Sequence, residues 1–297
     1  MCFSRQARQF QERFDLGCER QAARERGVVE RFNAEEIAGE KERALLRVQN
    51  AEGEHADQPS EAGFFPLDWR QAALASIQPE GHLSELGKLQ EAMAKLLILR
   101  PNPRGMERES RAESKRPDLY LIGLTSWYRS LSQDLDWAVA LRDLLKGVWP
   151  DIQSLKLVDA GRNTKALQLP FDRSNGGGTC ELFFEQLSDG EKALIGLYMV
   201  RAALATGAAQ TVLIDEPDNY VGLPELQPWV LSVREQLDDA HQAVLITHHP
   251  EILSSAGQER GRYLWRDSHT SPTRIGPLNI PQGMSPGEAI ARGWVRG

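Results

Sequence analysis

The chain has 297 residues, 41% of them hydrophobic and 26% charged, with a formal net charge of −7. That is enough apolar material for one substantial core, or for one core and a smaller subdomain. The acidic balance argues against a broad phosphate-binding surface, so nucleic acid is not indicated by charge, although a local basic patch is compatible with it.

The first residues, MCFSRQARQFQERFD, carry charges where a secretory signal would place its apolar stretch. Apolar runs such as residues 211–214 fall far short of the roughly 20 that span a bilayer. A cytoplasmic protein without a membrane segment is expected. Cys2, Cys18 and Cys180 are too few and too scattered for a disulfide framework or a paired-cysteine zinc site, and read as free thiols.

In chain order, residues 1–60 come first. They hold 22 charged side chains, against 55 in the other 237 residues, and residues 6–36 have helix-forming composition with sparse apolar positions. They read as a charged helical N-terminal segment, a solvated helix or an arm that needs a partner to pack on. The run NAEGEHADQPS at 50–60 has turn and linker composition and suggests a boundary. Residues 61–150 read as a helical subdomain. Apolar residues recur there at helical spacing from 68 to 99, the proline pair in Pro101-Asn102-Pro103 closes the run, and residues 127–145 form a further amphipathic helix pair. Residues 151–297 read as an α/β core. Short strands at 154–158, 166–171 and 180–184 suggest a small mixed sheet, with the glycines at 176–178 as a hairpin turn. A helix–strand alternation typical of a parallel sheet then follows, and the residues SPGEAI open a terminal helix.

Within that core three motifs fall in order over about seventy residues: LSDGEK (187–192), TVLIDEP (211–217) and AVLITHHP (243–250). TVLIDEP drives a buried strand straight into Asp215 and Glu216, placing two carboxylates at the carboxyl end of a sheet, where α/β proteins bind ligands. The bland alternative is a strand that simply ends in a polar turn. In LSDGEK, Ser188 and Glu191 have the spacing of a capping box that would start any helix. The box leaves Gly190 unexplained, because a glycine in the first turn costs about 1 kcal/mol relative to alanine. A bare backbone there lets N–H groups approach an anion, helped by the partial positive charge of the helix N-terminus. AVLITHHP is a second apolar strand with polar residues at its end, His248 and His249 among them. A histidine after a strand is, taken singly, more often structural.

Together and in this order, the motifs resemble the signature motif, Walker B strand and switch histidine of the ATP-binding-cassette and structural-maintenance-of-chromosomes (SMC) ATPases. The residues LRPNP (99–103) and WYRSL (127–131) are similar to the helical insertion of bacterial AAA-family ATPases, relatives of recombination and phage-defence ATPases. The resemblance spans roughly residues 70–297 and implies a partial P-loop NTPase fold of that type, a parallel sheet with a helical insertion and a small mixed β region. It implies ATP and Mg²⁺ as ligands, with Asp215 holding the metal, Glu216 polarising the attacking water and His248 sensing the γ-phosphate. It further implies that Ser188, Asp189, Gly190 and Glu191 reach nucleotide held by a second protomer, and that Asn219, beside Asp218 and Tyr220, lies in the loop that crosses the dimer interface. Asp189 stands where the family often has glycine, adding a negative charge near that phosphate.

The P-loop itself, G-x-x-x-x-G-K-[ST], has no match. The single Gly-Lys pair, Gly87 and Lys88, is followed by Leu89 and lies inside a predicted helix. Losing three charged hydrogen bonds weakens binding by at least about 4.5 kcal/mol, roughly a thousandfold. The expectation is therefore an ATPase whose first strand and P-loop lie upstream or on a partner, acting as a homodimer or as a heterodimer with a P-loop-bearing ATPase. The alternative is a non-hydrolysing interaction subunit that donates its signature motif to such a partner. A nuclease is disfavoured, because Asp267 stands alone in the 49 residues after His248. Nucleic acid enters by family analogy only.

Overall fold

The computed structural model describes the strands between residues 32 and 66, together with residues 85–297 apart from 174–175, 257–259, 282, 293 and 295–297. The chain divides into two compact units, Met1–Lys95 and Leu96–Gly297.

In the first unit β1 (Phe32–Ala34), β2 (Arg43–Gln49), β3 (Glu52–Gln58) and β4 (Glu61–Pro66) form an antiparallel sheet in sequence order. Gln49 pairs with Glu52 at the end of the β2–β3 ladder. Helix α1 (Glu85–Ala94) follows and contains Gly87 and Lys88, as the sequence predicts. The strands differ from the sequence reading. Phe32–Ala34 is extended where composition predicts helix, and β3 occupies most of the stretch with linker composition. A meander satisfies its main-chain N–H and C=O groups in the ladder whatever the side chains, so polar residues such as those of β3 are carried by their neighbours. The rest of the predicted helical stretch, like Cys2 and Cys18, lies outside the described residues.

The second unit opens with β5 (Leu96–Leu99), followed by β6 (Glu109–Ser110) and the helices α2 (Leu124–Leu131) and α3 (Leu135–Lys146). Asp134 caps α3, accepting the N–H groups of Asp136 and Trp137 at 2.9 and 3.3 Å. Next come β7 (Lys156–Gly161), β8 (Thr164–Asp172) and β9 (Thr179–Phe183). All three partners of β8, namely β6, β7 and β9, are antiparallel to it, so the predicted mixed sheet is antiparallel. Gly176 and Gly178 turn the β8–β9 hairpin with φ of 68° and 93°, conformations that favour glycine.

Helix α4 (Asp189–Ala205), β10 (Thr211–Asp215), α5 (Leu223–Gln236), β11 (Gln242–Ile246) and α6 (Pro250–Ala256) follow. Strands β5, β10 and β11 form a parallel sheet in the order β11-β10-β5. The fold is therefore α/β with a parallel sheet and inserted helices. Two details depart from expectation. Leu96–Leu99 is a strand, not the end of a helix, because Pro101 and Pro103 forbid helical continuation and β10 offers a ladder. The strand after α6, β12 (Arg262–Trp265), leaves the parallel pattern and pairs antiparallel with β13 (Arg274–Pro277). Helix α7 (Pro286–Ala291) closes the chain, capped by Ser285.

The core centres on α4. Eleven of its residues, from Ala193 to Leu204, are buried on every side, the mark of a helix enclosed by its own domain. Each fully buried leucine contributes about 1.5–3 kcal/mol. Trp229 of α5 is buried against it, and its Nε1 donates to the Leu197 carbonyl at 2.8 Å. One face of the parallel sheet, with Leu97, Leu99, Val212 and Ile214, is buried. The other is half bare: Ile98 is 51% and Ile246 45% exposed. Parallel sheets are ordinarily covered on both faces. Among the described residues β11 also has no partner on its outer edge.

Candidate active site

Strand β10 ends by turning out of the sheet at Glu216. Its N–H still donates to the Ile246 carbonyl at 2.8 Å, extending the ladder by one bond, but its φ is +52°. A non-glycine residue in the left-handed region carries strain of about 1–2 kcal/mol, and such strain gathers at functional sites. The chain then closes a short turn: the Asn219 N–H reaches the Glu216 carbonyl at 3.3 Å, and the Asn219 amide donates to Glu216 Oε2 at 2.7 Å.

Three further side chains converge there. His248, from the loop after β11, places Nδ1 3.7 Å from Glu216 Oε1. Arg100, directly after β5, places Nη2 3.3 Å from Glu216 Oε2 and Nε 3.5 Å from Asp215 Oδ2. The loops are tied to each other as well, since Thr247 Oγ1 donates to Asp218 Oδ1 at 2.7 Å and accepts the His249 N–H at 3.0 Å. The hydrogen bond donated by the Asn219 side-chain amide holds the Glu216 carboxyl below the usual carboxylate range. Partial burial opposes this, and Arg100 and His248 add to it.

Of the sequence-predicted residues, the structure thus gathers Asp215, Glu216, Asn219 and His248 at the carboxyl ends of adjacent parallel strands. His249 is engaged otherwise: its Nδ1 accepts the Glu251 N–H at 3.3 Å in the first turn of α6. Residues 188–191 form the start of α4. Ser188 and Glu191 make the full capping box, with the Ser188 N–H donating to Glu191 Oε2 at 2.7 Å and the Glu191 N–H to Ser188 Oγ at 3.3 Å. Asp189 pairs with Arg104 at 3.2 Å. Gly190 has an internal explanation that the sequence did not offer: a Cβ on it would sit 2.9 Å from the Tyr220 carbonyl oxygen. Its bare backbone is required by packing, so it does not by itself argue for an anion.

The residue that sequence reasoning missed is Arg100. Its signal was the four-residue apolar run before it, read as helix. A hollow of about 630 Å³ beside β9 shares only Glu191 with the candidate residues. Among the described residues, no cluster of three or more His, Cys, Asp or Glu side chains is arranged to hold a metal. The carboxylate pair does suit Mg²⁺, which keeps most of its waters and takes one or two protein carboxylates, and the Arg100 guanidinium stands in for a cation between them. Among the described residues, no helix is long and apolar enough to cross a membrane.

No family model matches the chain, and none of the curated proteins matches it. Solved structures do. One is an SMC ATPase structure from work on ATP-driven dimerization and DNA-stimulated activation, at 16% identity and a TM-score of 0.39, covering 57% of this chain and 94% of that one. A second is the Smc head domain with coiled coil and joint from Pyrococcus yayanosii, at 19% identity and a TM-score of 0.38, covering 57% of this chain and 30% of that one. A third is the Smc head domain of Pyrococcus furiosus bound to the C-terminal domain of ScpA, at 18% identity and a TM-score of 0.36, covering 52% and 37%. The chain spans less than half the length of the two Pyrococcus chains.

Proposed function

We propose that this chain carries the metal-and-water half of an ATPase site, completed by a P-loop-bearing segment or partner. The observation that supports it is the carboxylate pair at the end of the central parallel strand, with Glu216 held in a strained backbone and gripped by Asn219, Arg100 and His248. Asp215 would hold Mg²⁺, which when bound neutralises phosphate charge. Glu216, kept ionised by its partners, is suited to orienting and polarising a water through its free lone pairs. It is poorly suited to removing a proton outright, because its depressed pKa makes it a weak base. Phosphoryl transfer with a loose transition state asks for the former. His248 extends from the neighbouring strand end, 74% exposed, free to donate to a phosphate oxygen.

Among the described residues the outer edge of β11 is unpaired and the face beside Ile98 and Ile246 is half bare, which supports completion by a further strand and helix, from a second copy or a P-loop-bearing ATPase. A subunit that only lends residues 188–191 to such a partner is the lesser reading, because the capping box and Arg104 already engage three of the four. NMR titration of the chain with ATP and Mg²⁺ up to about 10 mM, in the range expected for an uncradled phosphate, tests the proposal. Mg²⁺-dependent shifts at Asp215, Glu216 and His248 that vanish in Asp215→Asn are expected. No Asp215-dependent shift would overturn the proposal.

A further inference from the structure

Two adjacent carboxylates repel each other unless a cation lies between them. Here the cation is supplied from within. In the parallel ladder Ile214 pairs with Leu99, so the next residue of each strand, Asp215 and Arg100, come side by side at the strand ends. The main chain of Arg100 is fixed: its N–H donates to the Leu119 carbonyl at 2.6 Å, and that of Asn102 to the Tyr120 carbonyl at 3.0 Å. The loop providing those carbonyls is pinned by Asp118, whose carboxylate accepts the N–H groups of Tyr120, Ile122 and Gly123 at 3.0, 3.0 and 2.8 Å. Among the described residues, the side chain is held by the carboxylates alone. It is 53% exposed, with solvent into which it can swing.

We infer that Arg100 is the built-in counter-cation of Asp215 and Glu216, and that a divalent metal entering the site must exchange with its guanidinium. The inference rests on the proposed role of Asp215 as a metal ligand. The guanidinium occupies the space that a metal needs and neutralises the charge that attracts it, so the free chain discriminates against metal that arrives without nucleotide. Metal carried on a polyphosphate brings its own anion, to which the displaced guanidinium can turn. Exposed arginine–carboxylate contacts each correspond to a factor of up to about five in an equilibrium. Two of them weaken the wild-type affinity for free metal by about threefold to tenfold.

The experiment is titration of the whole chain with Mn²⁺ alone, free Mn²⁺ being read by electron paramagnetic resonance. The proteins are the wild type, Arg100→Gln, Arg100→Lys and the double variant Arg100→Gln with Asp215→Asn. Arg100→Gln should lower the dissociation constant by about threefold to tenfold. Arg100→Lys keeps the charge and should stay within about twofold of wild type, and the double variant should lose the gain. An Arg100→Gln affinity equal to or weaker than wild type overturns the inference. Absence of Asp215-dependent Mn²⁺ binding in every protein overturns the metal reading beneath it as well. Should Arg100→Gln fail to fold, the wild type still decides. Its Arg100 Nε–H resonance should shift on Mg²⁺ titration with the same midpoint as Asp215, and an invariant resonance overturns the inference. No nucleotide is present in either measurement, so a chain that fails to bind ATP would leave this result standing.

Discussion

The start of α4 and the end of β10 carry the two most conspicuous motifs of this chain, and the structure treats them differently. At the start of α4 residues 188–191 all serve the fold itself. Ser188 and Glu191 cap the helix, Asp189 pairs with Arg104, and Gly190 makes room for the Tyr220 carbonyl. At the end of β10 the motif residues burden the fold as well as join it. Glu216 has an unfavourable backbone, and its carboxylate and that of Asp215 both face the Arg100 guanidinium. The contrast separates residues that a fold needs from residues that a fold tolerates, and the tolerated ones are the better evidence of function.

The comparison can be broken by substitution. Gly190→Ala has the largest expected effect. Its methyl meets a main-chain oxygen at 2.9 Å, and overpacking of this kind costs about 1–3 kcal/mol, partly offset by the better helix propensity of alanine. A loss of about 2 kcal/mol in chemical denaturation is expected, and an unchanged midpoint would return Gly190 to the anion-binding reading. Ser188→Ala comes next, with a loss of about 1 kcal/mol for the missing cap, again measured by denaturation. A variant that keeps full stability but abolishes assembly with a P-loop partner would reverse the assignment of this region.

How much of this was legible beforehand follows the same division. The apolar strands running into Asp215 and His248, the capping box, the helix pair at α2 and α3 and the glycine hairpin are local patterns, and the sequence displays them. Arg100 was hidden because its neighbours on β5 also satisfy helical spacing. Only pairing with β10, more than a hundred residues away, makes them a strand. The packing explanation of Gly190 was hidden for a related reason: its neighbour, Tyr220, is distant in sequence. The strands between residues 32 and 66 were hidden by composition, since a polar stretch such as β3 has no apolar alternation to betray it, and the antiparallel turn taken by β12 depends on β13.

At the other pole of the comparison, Glu216→Gly should raise stability. Removing the side chain relieves a left-handed strain of about 1–2 kcal/mol, against the roughly 0.5–1 kcal/mol that glycine loses through its freer unfolded chain. With the contacts of the carboxyl to Asn219 and Arg100 also lost, a net gain of up to about 0.5 kcal/mol is expected, read from the denaturation midpoint. Such a gain is the signature of a residue retained for chemistry at some expense to folding. A marked loss would mean that the contacts to Asn219 and Arg100 hold the turn together, and that Glu216 belongs with the structural residues of α4.

The smallest effect concerns protons and tests those contacts directly. The Glu216 carboxyl is held below its ordinary range, chiefly by the Asn219 amide, with burial opposing and Arg100 and His248 assisting. A carboxyl whose folded pKa lies below its unfolded one contributes stability that is fully present above the unfolded value, near pH 4.3, and is lost as pH falls through the folded value. Melting temperatures of the wild type and Glu216→Gln, followed from neutral pH downward, should therefore keep a constant small gap above about pH 5 and converge below about pH 4. A gap of the opposite sign at neutral pH would mean that repulsion from Asp215 outweighs the grip of Arg100 and Asn219. Arg100 would then be an incomplete counter-cation, and the carboxylate pair would be left seeking a metal even in the free chain.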